Sequence, residues 1–324
     1  MSGGWWRSWR NDVLSLPYFK LPGRSPLPPL TPELSALSAE LLRDVSILAG
    51  DIGPRNTLRP AKLNLAAEFC RAALQKAGFS VNRSIFDADG VQCANLEAVL
   101  PGTRHPERIV VVGAHYDSVH NCPAANDNGS GVAGTLAIAR RLASRPQPCT
   151  IRFVMFANEE PPHFHTDTMG SLVYARACRA ANDEIRAMFT LETIGCYLHE
   201  PGSQRWPQHP LTKLLPNVGN FILLCGDTAA RHAVKISAEV IEHQAGFPTL
   251  AAAVPAKFGD IGWSDHWSFQ QNGYPAFTVT DTALFRYNHY HRPTDTPERL
   301  DYDSMARVVD GMLAATIALA ERGG

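Results

Sequence analysis

The sequence predicts an α/β fold, with a largely parallel sheet covered by helices on both sides. Three observations carry that expectation. Apolar runs such as Ile109–Ala114 and Ile151–Ala157 show no polar alternation, as strands buried on both faces require. Segments of helical periodicity separate these runs in regular alternation. The chain has 324 residues, 45% hydrophobic and 19% charged, which suits one large globular domain.

The elements follow in order. Residues 1–30 are rich in Trp, Pro and Gly and read as an irregular arm, whose Trp5, Trp6 and Trp9 can pack on the body. Residues 31–324 read as one α/β domain. Thr31-Pro32-Glu33 opens a helix, with Thr as N-cap and Pro in the first turn. Leu34, Leu37, Leu41, Leu42 and Val45 form its apolar stripe. A second helix spans Leu63 to Lys76 and ends at Gly78, a C-cap residue. Val91–Leu100 reads as a strand, Pro101-Gly102-Thr103 as a turn, and Arg108–Ala114 as a buried strand. Gly131–Ala143 is helix-like, Ile151–Ala157 a strand, Ser171–Cys178 a helix and Ile185–Glu192 a strand. Phe221–Cys225 and Ala276–Thr280 add two strands, and Tyr302–Glu321 closes the chain as a helix. The stretch 198–220 holds Pro201, Pro207, Pro210 and Pro216 and reads as a surface insertion that helps shape a pocket.

Composition excludes several classes. Thirty Lys+Arg against 31 Asp+Glu give a formal charge of −1, and no basic stripe or aromatic platform supports nucleic-acid binding. No run approaches the length of a membrane-spanning helix. The N-terminus lacks a continuous apolar core followed by a small-residue cleavage site, so no secretory signal is expected. Seven cysteines without a CxxC pair fit reduced thiols, which points to the cytoplasm.

Polar residues collect where the buried strands end, the place where open α/β sheets bind ligands. One strand delivers His115-Tyr116-Asp117, the next Asn158-Glu159-Glu160, and the strand through Met188 delivers Glu192. Between the first two lies Ala125-Asn126-Asp127-Asn128-Gly129-Ser130-Gly131, a glycine-punctuated loop entering a helix. Tyr290-His291-Arg292-Pro293-Thr294-Asp295-Thr296 comes late in the chain. Each has an ordinary structural reading: a hydrogen-bonded histidine, a solvated acidic corner, a loop whose Asp caps a helix. The loop lacks the Lys of a phosphate-binding P-loop. Their coincidence is more telling, because imidazoles and carboxylates together are the donors zinc takes.

The ordered set HYDS, ANDNGSG, NEE, LETIG, SDH and YHRPTDT resembles the zinc peptidase family of the bacterial leucyl aminopeptidases and glutamate carboxypeptidase, metallopeptidase family twenty-eight. The resemblance spans roughly residues 35–320. It implies a single domain with a mixed, mostly parallel sheet flanked by helices, and two zinc ions, with other divalent ions chemically admissible. It implies that His115 and Glu192 bind one zinc, Glu160 and His291 the other, and that Asp127 bridges them. Glu159 would be the general base, moving a proton from a metal-bridging hydroxide's parent water to the leaving amine. Asp117 would accept the second N–H of His115 and orient it. Tyr290 would stabilise the tetrahedral oxyanion, and Asp265, with His266 in SDH, would line the substrate pocket. His163, His165, His289 and Cys196 match no ligand position, and the first two read as a surface loop.

The implied activity is a zinc exopeptidase acting on peptides, an aminopeptidase foremost. Glu192 stands where many members carry Asp, which leaves a carboxypeptidase or dipeptidase open. A glutaminyl cyclase, an acyl transferase using one zinc, typically lacks the counterpart of His115. A scaffold with a vestigial pocket would have lost ligands, and none is lost here.

Overall fold

The computed structural model describes residues 17–23, 26–207, 213–255 and 262–322. Trp5, Trp6 and Trp9 lie outside the described residues. Among the described residues nine strands form one sheet: β1 (Tyr18–Lys20), β2 (Val81–Ala88), β3 (Val91–Leu100), β4 (Gly102–His115), β5 (Gln147–Phe156), β6 (Glu184–Leu191), β7 (Ile222–Asp227), β8 (Thr249–Val254) and β9 (Ala276–Thr280). Their order is β1-β8-β7-β9-β6-β4-β5-β3-β2. The central four, β9-β6-β4-β5, run parallel, so their carboxyl ends share one edge. Strands β7 and β8 run parallel to each other but antiparallel to β9, and β1, β2 and β3 pair antiparallel outside them. The expected mixed sheet is present.

The helices are α1 (Pro32–Val45), α2 (Pro60–Lys76), α3 (Gly131–Leu142), α4 (Gly170–Ala180), α5 (Arg231–Ala245), α6 (His266–Gln271), α7 (Ala283–Arg286) and α8 (Tyr302–Arg322). Alternation along β4 divides the interior. Val110, Val112 and Ala114 enter a large core with α1, α2, α3, α5 and α8. Ile109 and Val111 enter a smaller one with Tyr174 and Cys178 of α4 and Phe269 of α6. The Thr31 hydroxyl accepts the Leu34 N–H at 3.3 Å, the N-cap read from sequence.

Two local readings are corrected. Pro101-Gly102-Thr103 is no turn: Gly102 already pairs with Gln147 of β5, and β3 and β4 are not neighbours. Gly102 serves close approach, because a Cβ there would lie 2.6 Å from the Thr150 nitrogen. The arm of 1–30 is not irregular throughout, since Tyr18–Lys20 pairs with β8 as an edge strand. No helix among the described residues is long and apolar enough to cross a membrane. All seven cysteines are unpaired.

Candidate active site

Three strand ends and two loops converge. His115 is the last residue of β4, and Glu159-Glu160 and Glu192 follow β5 and β6 directly. Left-handed backbone at Asn158 (φ 58°), Thr193 (φ 54°) and His291 (φ 56°) turns the chain sharply beside three of these positions. Such conformations in non-glycine residues persist only where their surroundings hold them. Asp127 comes from the loop entering α3. Its neighbour Asn128, not Asp127, meets the start of that helix: the Asn128 Oδ1 accepts the Gly131 N–H at 3.0 Å. Asp127 is thereby left for other work. Gly131 is required there, since a Cβ would lie 2.1 Å from the Leu191 carbonyl oxygen.

The donors fall into two groups that share Asp127. His115 Nε2 lies 3.4 Å from Asp127 Oδ1 and 3.2 Å from Glu192 Oε2. His291 Nε2 lies 3.0 Å from Asp127 Oδ2 and 3.3 Å from Glu160 Oε2. Within each group the donor atoms lie within 4.8 Å of one another. Both nitrogens of His115, both oxygens of Asp127 and Nε2 of His291 are buried without a hydrogen-bond partner. Folded interiors pair nearly all buried polar atoms, so orphans gathered around one point are candidates for a cation's ligands. Carboxylate oxygens and imidazole nitrogens at this spacing fit two zinc ions.

Electrostatics agree. Burial raises the Glu159 carboxyl well above its ordinary value, with Glu192 and Glu160 adding to the effect against His115. Burial and the charge of Asp127 push Glu160 up to about 7. Burial disfavours the charged form of His291, but the adjacent Asp127 and Glu160 carboxylates outweigh it, giving about 10. His115 is likewise lifted well above normal by Glu192 and Glu159 despite its burial. Without positive charge between them, these carboxylates repel one another.

Asp117 accepts the N–H groups of Glu159 (3.0 Å) and Glu160 (3.1 Å), and its Oδ1 lies 3.3 Å from His115 Nδ1. It anchors the turn that carries the glutamates and lies beside the histidine ring. Glu159 Oε2 lies 3.8 Å from His115 Nε2, whereas Glu160 faces His291. The adjacent glutamates thus diverge toward different donor groups.

A pocket of about 260 Å³ opens beside Glu192 and is lined further by Ser264, His266, Tyr290, Trp206 and Phe285. The Tyr290 ring stacks on His291, centroids 3.9 Å apart. Asp265 is fully buried and outside that lining, with burial pushing its carboxyl up to about 7. Its neighbours in SDH face the pocket instead, and Ser264 donates to Glu192 Oε2 at 2.7 Å. From the stretch 198–220, Trp206 and Leu215 line the pocket, and the Trp206 indole N–H bonds the Pro216 carbonyl at 2.8 Å.

His163 corrects one reading. It is buried rather than on a surface loop, with Nε2 3.0 Å from the Thr57 hydroxyl and Nδ1 2.8 Å from that of Thr168. His165 is exposed and stacks on Trp267. Neither belongs to a donor group. Three supporting residues were not singled out from sequence. Asp295 accepts the Asn126 and Asp127 N–H groups at 2.9 and 3.1 Å, and the Tyr287 hydroxyl at 2.9 Å. Asp281 accepts from Asn126 Nδ2, the Thr193 hydroxyl and the Cys196 N–H. Arg55 lies buried beneath the loop. The place of Asp295, four residues after His291 in YHRPTDT, was its one signal.

A single mixed sheet with two clusters of candidate metal donors at its carboxyl edge has the layout of an α/β metalloenzyme. Comparison with known proteins identifies the family. The model of Peptidase family M28 matches residues 95–316. Escherichia coli YfbL, described as uncharacterized, is 34% identical over 88% of this chain and 89% of its own length. Aminopeptidase YwaD of Bacillus subtilis is 54% identical over 224 residues, covering 65% of this chain and 41% of YwaD. The structure of BSAP, a zinc aminopeptidase from Bacillus subtilis, shares the fold: TM-score 0.70, 16% identity, 88% of this chain and 95% of that one. The chain belongs to peptidase family M28, and it is a zinc-dependent peptidase.

Proposed function

We propose that the protein is a dizinc aminopeptidase that removes single residues from the free N-termini of peptides. The observation that carries the reading is the pair of donor groups sharing Asp127, with Glu159 beside one of them. His115, Asp127 and Glu192 would hold one zinc, and Asp127, Glu160 and His291 the other. Bound there, zinc polarises a carbonyl and lowers the pKa of water. Glu159 takes a proton at Oε2 from the attacking water and returns it to the departing amine. Tyr290, stacked on His291 and facing the pocket, donates its O–H to the carbonyl oxygen as charge develops there. Asp117 keeps His115 and the Glu159-Glu160 turn in register.

The choice of peptide end rests on charge. Among the described residues lining the pocket there is no Lys or Arg, and Glu192 is the one acidic group. A carboxypeptidase needs a cation to grip the terminal carboxylate, commonly a bidentate arginine. A peptide gripped by its N-terminal end needs no such cation. A glutaminyl cyclase reading is disfavoured because it needs one metal, whereas both donor groups are complete here.

The test combines metal counting with paired substrates. Zinc-reconstituted protein should hold two ions per chain and cleave N-terminally free peptides but not N-acetylated ones. Glu159→Gln should retain zinc and lose roughly three orders of magnitude in kcat. Normal turnover by that variant, or attack on blocked peptides from the other end, overturns the reading.

A further inference from the structure

The pocket continues well past the metal-facing end. Cross-strand register lays two rows of side chains on one face of the sheet. Thr280 of β9 stands opposite Leu223 of β7, which stands opposite Leu250 of β8. Beside it, Thr278 faces Cys225, Cys225 faces Ala252, and Ala252 faces Phe19 of β1. All seven line the same pocket as Glu192 and Tyr290. The reverse face of these strands, including Leu224, Ala251 and Val279, is sealed in the large core. On the pocket face, α4 and α6 sit over β3, β6 and β9, and Leu223, Cys225 and Ala252 remain half-exposed.

The result is a trough whose floor crosses four strands, polar at the metal end and apolar beyond it. Three interstrand spacings make it roughly 14 Å long, and no natural side chain reaches much beyond half of that. Its volume, about 260 Å³, exceeds the ~150 Å³ that holds a benzene ring in an engineered apolar cavity. An enzyme that removes one residue at a time places a single side chain here and leaves the far end unused. A longer peptide is a poor occupant, because the floor strands already spend their backbone donors and acceptors on each other. An alkyl chain asks for no hydrogen bonds.

We infer that the same site hydrolyses amides of long-chain fatty acids, such as N-acyl amino acids, with the alkyl chain lying in this trough. The inference rests on the proposed metal site and extends its substrate class. The water oxygen bonds to the acyl carbon, the amide C–N bond breaks, and the proton passes to the leaving nitrogen. The products are a long-chain carboxylate and a free amino acid. Such a substrate has no terminal ammonium, and apolar burial along the trough supplies its binding instead. At roughly 1.3 Å of reach per methylene, from C–C bonds of about 1.5 Å, about ten carbons fill the floor.

The experiment compares N-acetyl-, hexanoyl-, decanoyl- and hexadecanoyl-leucine with the dipeptide Leu-Ala on the zinc-loaded full chain. Each buried methylene is worth roughly fourfold, so kcat/KM should rise on the order of a hundredfold from hexanoyl to decanoyl and then level off. Binding of the same series to Glu159→Gln, read by calorimetry, should follow the same trend without turnover. Ala252→Trp, which fills the second row, should flatten the series in both measurements. Cleavage of Leu-Ala with no dependence on acyl length in rate or binding overturns this inference alone. Failure to cleave either kind of substrate overturns the reading of the metal site, and this inference with it.

Discussion

Arg55 and Asp127 lie on either side of the same loop, both buried and both charged, and they are treated in opposite ways. Arg55 is fully enclosed and spends its guanidinium on five carbonyl oxygens, those of Leu48, Gly53, Tyr116, Pro123 and Ala124. Three residues beyond Ala124, Asp127 is as deeply buried and leaves both carboxylate oxygens without a hydrogen bond. A saturated buried ion is scaffold, because its partners are all supplied by the chain. An unsaturated one awaits a partner from outside. The contrast separates residues that build the loop from residues the loop exists to present.

Breaking the presented side should have the largest effect. Asp127→Asn halves the charge available to both donor groups at once. In the proposed site it should lower zinc content to one ion or fewer per chain and cut kcat/KM by at least about a thousandfold. Thermal stability of the metal-free protein should change little. Zinc stoichiometry and melting curves with and without chelator check this. A large drop in metal-free stability with intact zinc content would place Asp127 on the scaffold side.

Breaking the scaffold side should do the reverse. Arg55→Met strands several buried carbonyls at once, and each lost partner costs about 1–3 kcal/mol. A net loss of about 3–5 kcal/mol is expected, because some carbonyls regain water or relax. Denaturant unfolding measures it. Zinc per folded chain should stay at the wild-type level, the opposite of the Asp127 result.

The same contrast explains what could be read in the sequence. The central strands were legible because burial on both faces makes Ile109–Ala114 wholly apolar and leaves Arg152 as the one polar residue in Ile151–Phe156. Strands toward the margins of the sheet were harder. β8 is alanine-rich, Thr-Leu-Ala-Ala-Ala-Val, and β2 is largely exposed, so neither carries a clear strand pattern. The candidate ligands were legible because metal donors come from few residue types at strand ends, and all five fall in the two groups. Scaffold residues were not. Arg55 bonds only to backbone carbonyls, which have no sequence signature, and Asp281 and Asp295 support the loop from more than 150 positions away. Gly102 looked like turn chemistry because a glycine after proline signals a turn equally well when its real role is close approach.

Ser264 stands on the border between the two classes and sharpens the distinction. Its hydroxyl donates to Glu192 Oε2 at 2.7 Å, and Asn128 Nδ2 reaches the same oxygen at 3.2 Å. Glu192 is therefore the one candidate ligand of its group that the chain already holds in part, and Ser264 also faces the pocket. Ser264→Ala removes one of two bonds to that oxygen and leaves Asn128 in place. Orienting partners of this kind are worth about 10–100-fold in metal affinity, and the remaining amide puts the expected loss near the lower end. Zinc affinity should fall about tenfold with the stability of the metal-free protein within about 0.5 kcal/mol of wild type. Competition with a chromogenic chelator resolves a change of that size. Unchanged affinity would mean that Asn128 alone orients Glu192, and that Ser264 serves the pocket rather than the metal.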